Sequence, residues 1–149
     1  MKKITAILFL LSSLITMEVN AVTQDEMEKV ISDTTNIIEN KKGYIVFDYK
    51  KVRMALISNV EYDRMRIITP IKKYSELDLT QIEKIMDSNF HSALDARYAS
   101  SKDVLYSAFI HPMSPLSKKE LISALNQVAT LALTFGTTYS SGALNYGGN

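Results

Sequence analysis

Two histidines, a group of arginines and a serine-rich run are the residues of this 149-residue chain whose types could carry chemistry. His91 and His111 lack the close HxH or HxxxH spacing that would set two imidazoles on one metal ion. His111, in Phe109-Ile110-His111-Pro112, could act alone as a general base with Asp95 or Asp103 beside it, which is the chemistry of a small hydrolase or lyase. Ser140-Ser141-Gly142 is not the G-x-S-x-G of a nucleophile elbow. The chain has no Cys, which excludes disulfides, thiolate metal sites, cysteine nucleophiles and a lipidated cysteine. Four of the five glycines fall at or after Gly136, so no glycine-rich phosphate loop follows a strand. No catalytic residue, metal or cofactor is assigned on these grounds.

Recognition chemistry is better represented. Arg53, Arg64 and Arg66 fall on neighbouring predicted strands, where guanidinium groups suit two-point binding of carboxylates or phosphates. The same arginines could instead pair across strands with Asp48, Glu61 or Asp63. Asp95 and Arg97, two apart on a strand, could hold a ligand carboxylate or simply form its solvent face. Tyr98 and Tyr106 sit one in each strand of a predicted hairpin, and aromatic side chains of this kind are enriched at protein interfaces. Arg64, Arg66, Arg97 and Tyr106 are therefore the candidate partner-binding residues.

Lys2-Lys3, the apolar run Ile4 to Ile15 and the small-residue triplet Val19-Asn20-Ala21 have the three parts of a signal peptide, with cleavage expected after Ala21. The apolar run is well short of the ~20 residues that span a bilayer, so no stable membrane anchor is expected after cleavage. The chain carries 17 Lys+Arg and 16 Asp+Glu, and residues 1–21 hold two of the former and one of the latter, so the mature chain is neutral. A neutral exported domain has no electrostatic pull on phosphate backbones, and nucleic acid is not an expected partner. The periplasm or the extracellular space is the expected destination.

The remaining pattern must position these residues. Thr23 with Glu26 has the form of a capping box, and Met27, Val30, Ile31, Thr34, Ile37 and Ile38 follow at helical spacing, which predicts one helix ending near Lys41-Lys42-Gly43. Three strands in a meander follow, at Tyr44–Tyr49, Val52–Ser58 and Arg64–Ile71. Lys50-Lys51 lacks the usual hairpin-turn chemistry, so the first two could also be one long bulged strand. The third puts Met65, Ile67 and Thr69 on one face, Arg64, Arg66 and Ile68 on the other, and Pro70 near its end or on an edge.

A second helix, capped by Asp78 or Thr80, runs from Leu79 to Phe90 with Ile82, Ile85, Met86 and Phe90 as its stripe. Leu94 to Tyr98 alternates as a strand, Ser100 to Asp103 turns, and Val104 to Ile110 returns. The last helix has Ser117 as N-cap, Glu120 as its capping-box partner and a Leu116/Leu121 staple, with Leu121, Ala124, Leu125, Val128, Leu131 and Phe135 buried and Gly136 as the stop. The predicted organisation is a signal peptide (1–21), one α+β domain (22–136) and a flexible Gly/Ser/Tyr tail (137–149). Its order is α-β-β-β-α-β-β-α, a single antiparallel sheet packed by helices.

That element order, with Asp63-Arg64-Met65-Arg66-Ile67-Ile68-Thr69-Pro70 on the third strand, Asn89 to Tyr98 leading into the hairpin and Ser117 to Leu133 on the last helix, resembles the type III secretion chaperone-like fold, and within it the YbjN family. The resemblance implies a domain that commonly dimerises and holds a protein partner on its sheet and flanking grooves without catalysis. The signal peptide and the neutral mature chain depart from the secretion chaperones, which are cytoplasmic and usually acidic. The function expected is that of an exported, non-enzymatic protein- or peptide-binding module, chaperone-like or regulatory and homodimeric. The alternatives are a small-molecule sensor and a small envelope hydrolase using His111.

Overall fold

The computed structural model describes residues 22–147, and the signal-peptide reading of residues 1–21 lies outside them. Helix α1 (Gln24–Thr34) is followed by strands β1 (Asn36–Lys41), β2 (Tyr44–Tyr49), β3 (Val52–Asn59) and β4 (Arg64–Lys73). A short 3-10 turn (Tyr74–Glu76), helix α2 (Leu79–His91), strands β5 (Arg97–Ser101) and β6 (Val104–His111) and helix α3 (Lys118–Leu133) complete the chain. The six strands form one sheet in the order β1-β2-β3-β4-β6-β5, and every pairing is antiparallel. The α+β class with a single antiparallel sheet is as predicted, with one strand more.

The additional strand is β1. The helix ends at Thr34 because two threonines cap its last carbonyls: the Thr34 hydroxyl donates to the Val30 carbonyl at 2.6 Å and the Thr35 hydroxyl to Ile31 at 2.7 Å. Ile37 and Ile38, read as a continuation of the helical stripe, lie in β1 instead, with a bulge between Ile37 and Glu39. Gly43 is then no helix stop. It sits at φ +78° in the two-residue turn joining β1 to β2, where a Cβ would come within 3.0 Å of the Ser58 carbonyl oxygen.

Two further turns use residues that rarely take positive φ. Lys50 and Lys51, at φ 49° and 66°, close a tight hairpin with Tyr49 opposite Val52, so the two strands are separate. Lys102 and Asp103, at 48° and 62°, repeat that geometry between β5 and β6. Pro70 is tolerated in β4 because the β3–β4 pairing has already ended at Ala55 opposite Ile68, and a bulge follows it on the β6 side.

The core lies on one face of the sheet. Ile45, Phe47, Met54, Leu56, Met65, Ile67, Leu105 and Phe109 meet Met27 and Ile31 of α1, Ile85 of α2, and Leu121, Leu125, Val128 and Leu131 of α3. All three helices carry capping boxes, at Thr23/Glu26, Asp78/Gln81 and Ser117/Glu120. Helix α2 is rotated from the expected stripe: Ile85 and Ser88 are buried, but Met86 and Phe90 are 64% and 80% exposed. The residues expected to form a flexible tail fold back on α2 over their first part, since Tyr139 and Ser141 are buried. The Ser88 and Ser92 hydroxyls both donate to the Tyr139 carbonyl.

Candidate protein-interaction face

The helices occupy one side of the sheet, and among the described residues the other side is uncovered. Strand alternation fixes what it carries. Across β3, β4 and β6, Ile57, Arg66 and Ile110 form one row; Ala55, Ile68 and Ala108 form the next, extended by Arg97 on β5. Arg64 lies opposite Asn59, and Tyr106 lies between Pro70 and Ala99. The four candidate residues from three strands thus share one face: Arg64, Arg66 and Arg97 are exposed and Tyr106 is half-buried. Ile110, at 60% exposure, lies among them.

The arginines differ in their partners. Arg53 forms a two-point pair with Asp48, at 3.0 and 3.1 Å, which is the cross-strand pairing weighed from the sequence. The hydrogen bond from Arg53 lowers the Asp48 carboxyl from its ordinary value and raises the guanidinium. Arg64 donates to the Asp63 backbone carbonyl at 2.8 Å and Arg97 to the Ala96 carbonyl at 2.7 Å. The Asp63 carboxylate accepts from the Ser114 N–H at 2.8 Å and hydroxyl at 2.7 Å, and these bonds, with a smaller contribution from the Arg64 charge, hold its pKa below the ordinary value. Among the described residues, Arg64, Arg66 and Arg97 form no ion pair.

The sheet is also open at one end of β6. Strand β5 begins at Arg97 opposite Ala108, so Phe109, Ile110 and His111 have no strand neighbour on that side. A cleft of about 360 Å³ fills the space, with Arg97, Ile110 and His111 on the sheet side and Glu120, Ser123 and Gln127 on α3. Gln127, which the apolar stripe of α3 did not single out, holds the approach to β5: its Oε1 accepts from the Asp95 and Ala96 N–H groups at 2.9 and 3.1 Å. Its Nε2 donates to the Asp95 carboxylate at 3.2 Å and to Ser123 Oγ at 3.1 Å. A lone amide in an otherwise apolar stripe was the available signal.

His111 is half-buried, with Nδ1 2.7 Å from the Pro112 carbonyl, the geometry of a protonated Nδ1. Asp95 and Glu120 share its cleft, but their carboxylates are bonded to Gln127 and to the Ser117 N–H respectively. Asp103, the other carboxylate considered for it, stands at the opposite end of β6, held by the Ser75 N–H and hydroxyl at 2.8 and 2.9 Å. Among the described residues, no group of three or more His, Asp or Glu side chains could hold a metal ion, and no helix is long and apolar enough to cross a membrane.

No protein-family model matches the chain, and no curated protein does. Solved structures do. The type III secretion chaperone SycH of Yersinia pestis, in complex with a stable fragment of YscM2, is 18% identical at a TM-score of 0.57, over 76% of this chain and 98% of that one. The HopA1-SchA chaperone-effector complex contains a chain 8% identical at a TM-score of 0.56, over 75% of this chain and 88% of that one. The fold is that of the type III secretion chaperones. At these identities the likeness speaks for the fold alone.

Proposed function

We propose that this protein is a non-enzymatic protein- or peptide-binding module, chaperone-like or regulatory, and a YbjN-like variant of the chaperone fold. The observation that carries the reading is the bare sheet face, on which three strands bring Arg64, Arg66, Arg97 and Tyr106 around an exposed Ile110. The two structures named above are complexes of a chaperone with another protein. The leader pattern of residues 1–21 supports export to the periplasm or beyond. On α2, Leu79, Met86 and Phe90 are 79%, 64% and 80% exposed at spacings of seven and four, an apolar stripe that supports pairing of two copies.

Affinity capture from an envelope extract tests the binding reading. The chain should recover a specific partner that its Arg64→Glu/Arg66→Glu variant does not. Equal recovery by both would remove the face from the reading, and recovery of nothing would turn attention to small ligands. Mass analysis of the exported chain should show Val22 at its N-terminus, and Met86→Asp/Phe90→Asp should halve the mass seen in sedimentation.

The cleft beside His111 favours a second reading, a small envelope hydrolase or small-molecule sensor, because it places one imidazole near Asp95 and Glu120. It is the weaker one, since both carboxylates are bonded elsewhere. A ligand-dependent rise in melting temperature that His111→Ala abolishes would restore it.

A further inference from the structure

We propose that the bare face of the sheet takes an extended acidic segment of a protein partner, in which carboxylate side chains alternate with apolar ones. The proposal rests on the protein-binding reading above and adds the chemistry of the partner. Its first ground is charge. Arg64, Arg66 and Arg97 are exposed on one face and form no ion pair among the described residues. Asp48 is held by Arg53, and the Asp63 and Asp95 carboxylates are held in place by Ser114 and Gln127 rather than by a guanidinium. In a chain with nearly equal numbers of acidic and basic side chains, three guanidinium groups thus share one open face. Arg64 and Arg66 stand two residues apart on the same face of β4, where like charges repel, and an anionic partner relieves that repulsion.

The second ground is the apolar surface between the charges. Ile57 and Ile110 flank Arg66 in the same row, and Ile68 lies between Ala55 and Ala108 in the next. A phosphate polymer would set its charged backbone over these isoleucines, whereas an alternating peptide sets a carboxylate on each guanidinium and an apolar side chain on each isoleucine. The third ground is the gap beside β6, where Phe109 to His111 lack a neighbour. Three residues of open strand edge at the margin of the face suit the backbone of an extended chain.

The test uses the protein purified from the cell envelope and three fluorescent probes: a peptide alternating glutamate with valine and isoleucine, its counterpart with lysine in place of glutamate, and a single-stranded DNA of matched length. The glutamate peptide should bind, the other two should not, and its affinity should fall about tenfold when salt is raised well above physiological ionic strength. Arg66→Glu/Arg97→Glu should lose at least about tenfold in affinity while melting close to the parent temperature, because both side chains are exposed and form no ion pair among the described residues. Equal binding of the two peptides, preference for DNA, or an unaffected double variant would each overturn the proposal. If a partner captured from extract still binds when the glutamate peptide does not, the acidic chemistry is wrong and the protein-binding reading survives. If neither binds, both fall.

Discussion

Asn89 on α2 closes the outward-facing backbone of Tyr98 on β5: its Nδ2 donates to the Tyr98 carbonyl at 3.1 Å, and its Oδ1 accepts from the Tyr98 N–H at 2.8 Å. A carboxamide offers the same donor and acceptor as a strand residue, so one side chain stands in for a neighbouring strand and blunts the edge of the sheet there. Asn89→Ala leaves both backbone groups without their partner and should destabilise the fold by about 1–3 kcal/mol, read as a lower urea midpoint. Asn89→Asp keeps the acceptor and loses the donor, and should fall between. An unchanged midpoint in the alanine variant would mean that water serves Tyr98 as well as Asn89 does.

Tyr98 also sets an alkaline limit. Its hydroxyl donates to the Leu131 carbonyl at 2.9 Å, and burial pushes its pKa well above the ordinary tyrosine value of 10.0. The folded state keeps this proton where the unfolded chain releases it, so the contribution is complete below about pH 10 and is lost as pH rises further. Tyr98→Phe should abolish that part of the fall in melting temperature. At neutral pH it should cost about 1 kcal/mol for the lost hydrogen bond. Parallel alkaline curves for parent and variant would assign the limit to another group.

What the sequence made legible follows from how local each signal is. The capping boxes at Thr23 and Ser117 and the alternation of Met65, Ile67 and Thr69 against Arg64 and Arg66 rest on contacts a few residues apart, and all appear in the structure, whereas the turn expected over Ser100 to Asp103 narrows to Lys102-Asp103 because Ser100 and Ser101 pair with β6. The errors come from long-range contacts. Ile37 and Ile38 match the helical period of α1, but pairing of β1 with β2 outweighs it once Thr34 and Thr35 cap the helix. Met86 and Phe90 match the stripe of α2, yet the returning chain at Tyr139 meets Ser88 and Ser92 and sets the rotation of the helix. On the candidate face, alternation put Arg64 and Arg66 on one side of β4, but their place beside Ile110 and Arg97 depends on β4 pairing with β6 across α2 and β5. No local pattern encodes that pairing.

The Asp63 carboxylate ties the β3–β4 turn to the segment before α3 through Ser114. Its pKa is lowered by those bonds, as those of Glu26 and Glu120 are by the capping-box bonds to Thr23 and Ser117. A lowered carboxylate contributes stability above its unfolded pKa and loses it as pH falls through the folded one, so the acid limb of the stability profile should lie below about pH 4. Asp63→Asn should flatten part of that limb while keeping the turn, because asparagine tolerates the φ of 48° found there. Asp63→Ala should lower the melting temperature at neutral pH as well. A melting profile from pH 5 to pH 2 checks both, and an unchanged slope in the asparagine variant would exclude Asp63 as a contributor.

The returning chain after α3 divides into a buried part and an exposed, more lightly tied part. The Tyr139 ring is 6% exposed and meets the rings of Phe135 and Tyr98 edge-on at 5.4 and 6.2 Å. The Ser141 N–H donates to the Ser92 carbonyl at 3.0 Å. From Gly142 to Gly147 every residue is exposed. A chain ended after Gly142 loses exposed residues and the 2.9 Å bond from the Tyr146 N–H to the His91 carbonyl, and should melt within about 5 °C of the parent, as one exposed hydrogen bond contributes about 1 kcal/mol. Ending it after Gly136 removes the buried ring and leaves the Ser88 and Ser92 hydroxyls without their shared acceptor. Tyr139→Ala alone should cost about 3 kcal/mol, by analogy with other large aromatic deletions from cores. The longer deletion should exceed that, since two buried hydroxyls lose a partner in addition. Equal urea midpoints for the two truncations would show that the segment is a loose tail after all.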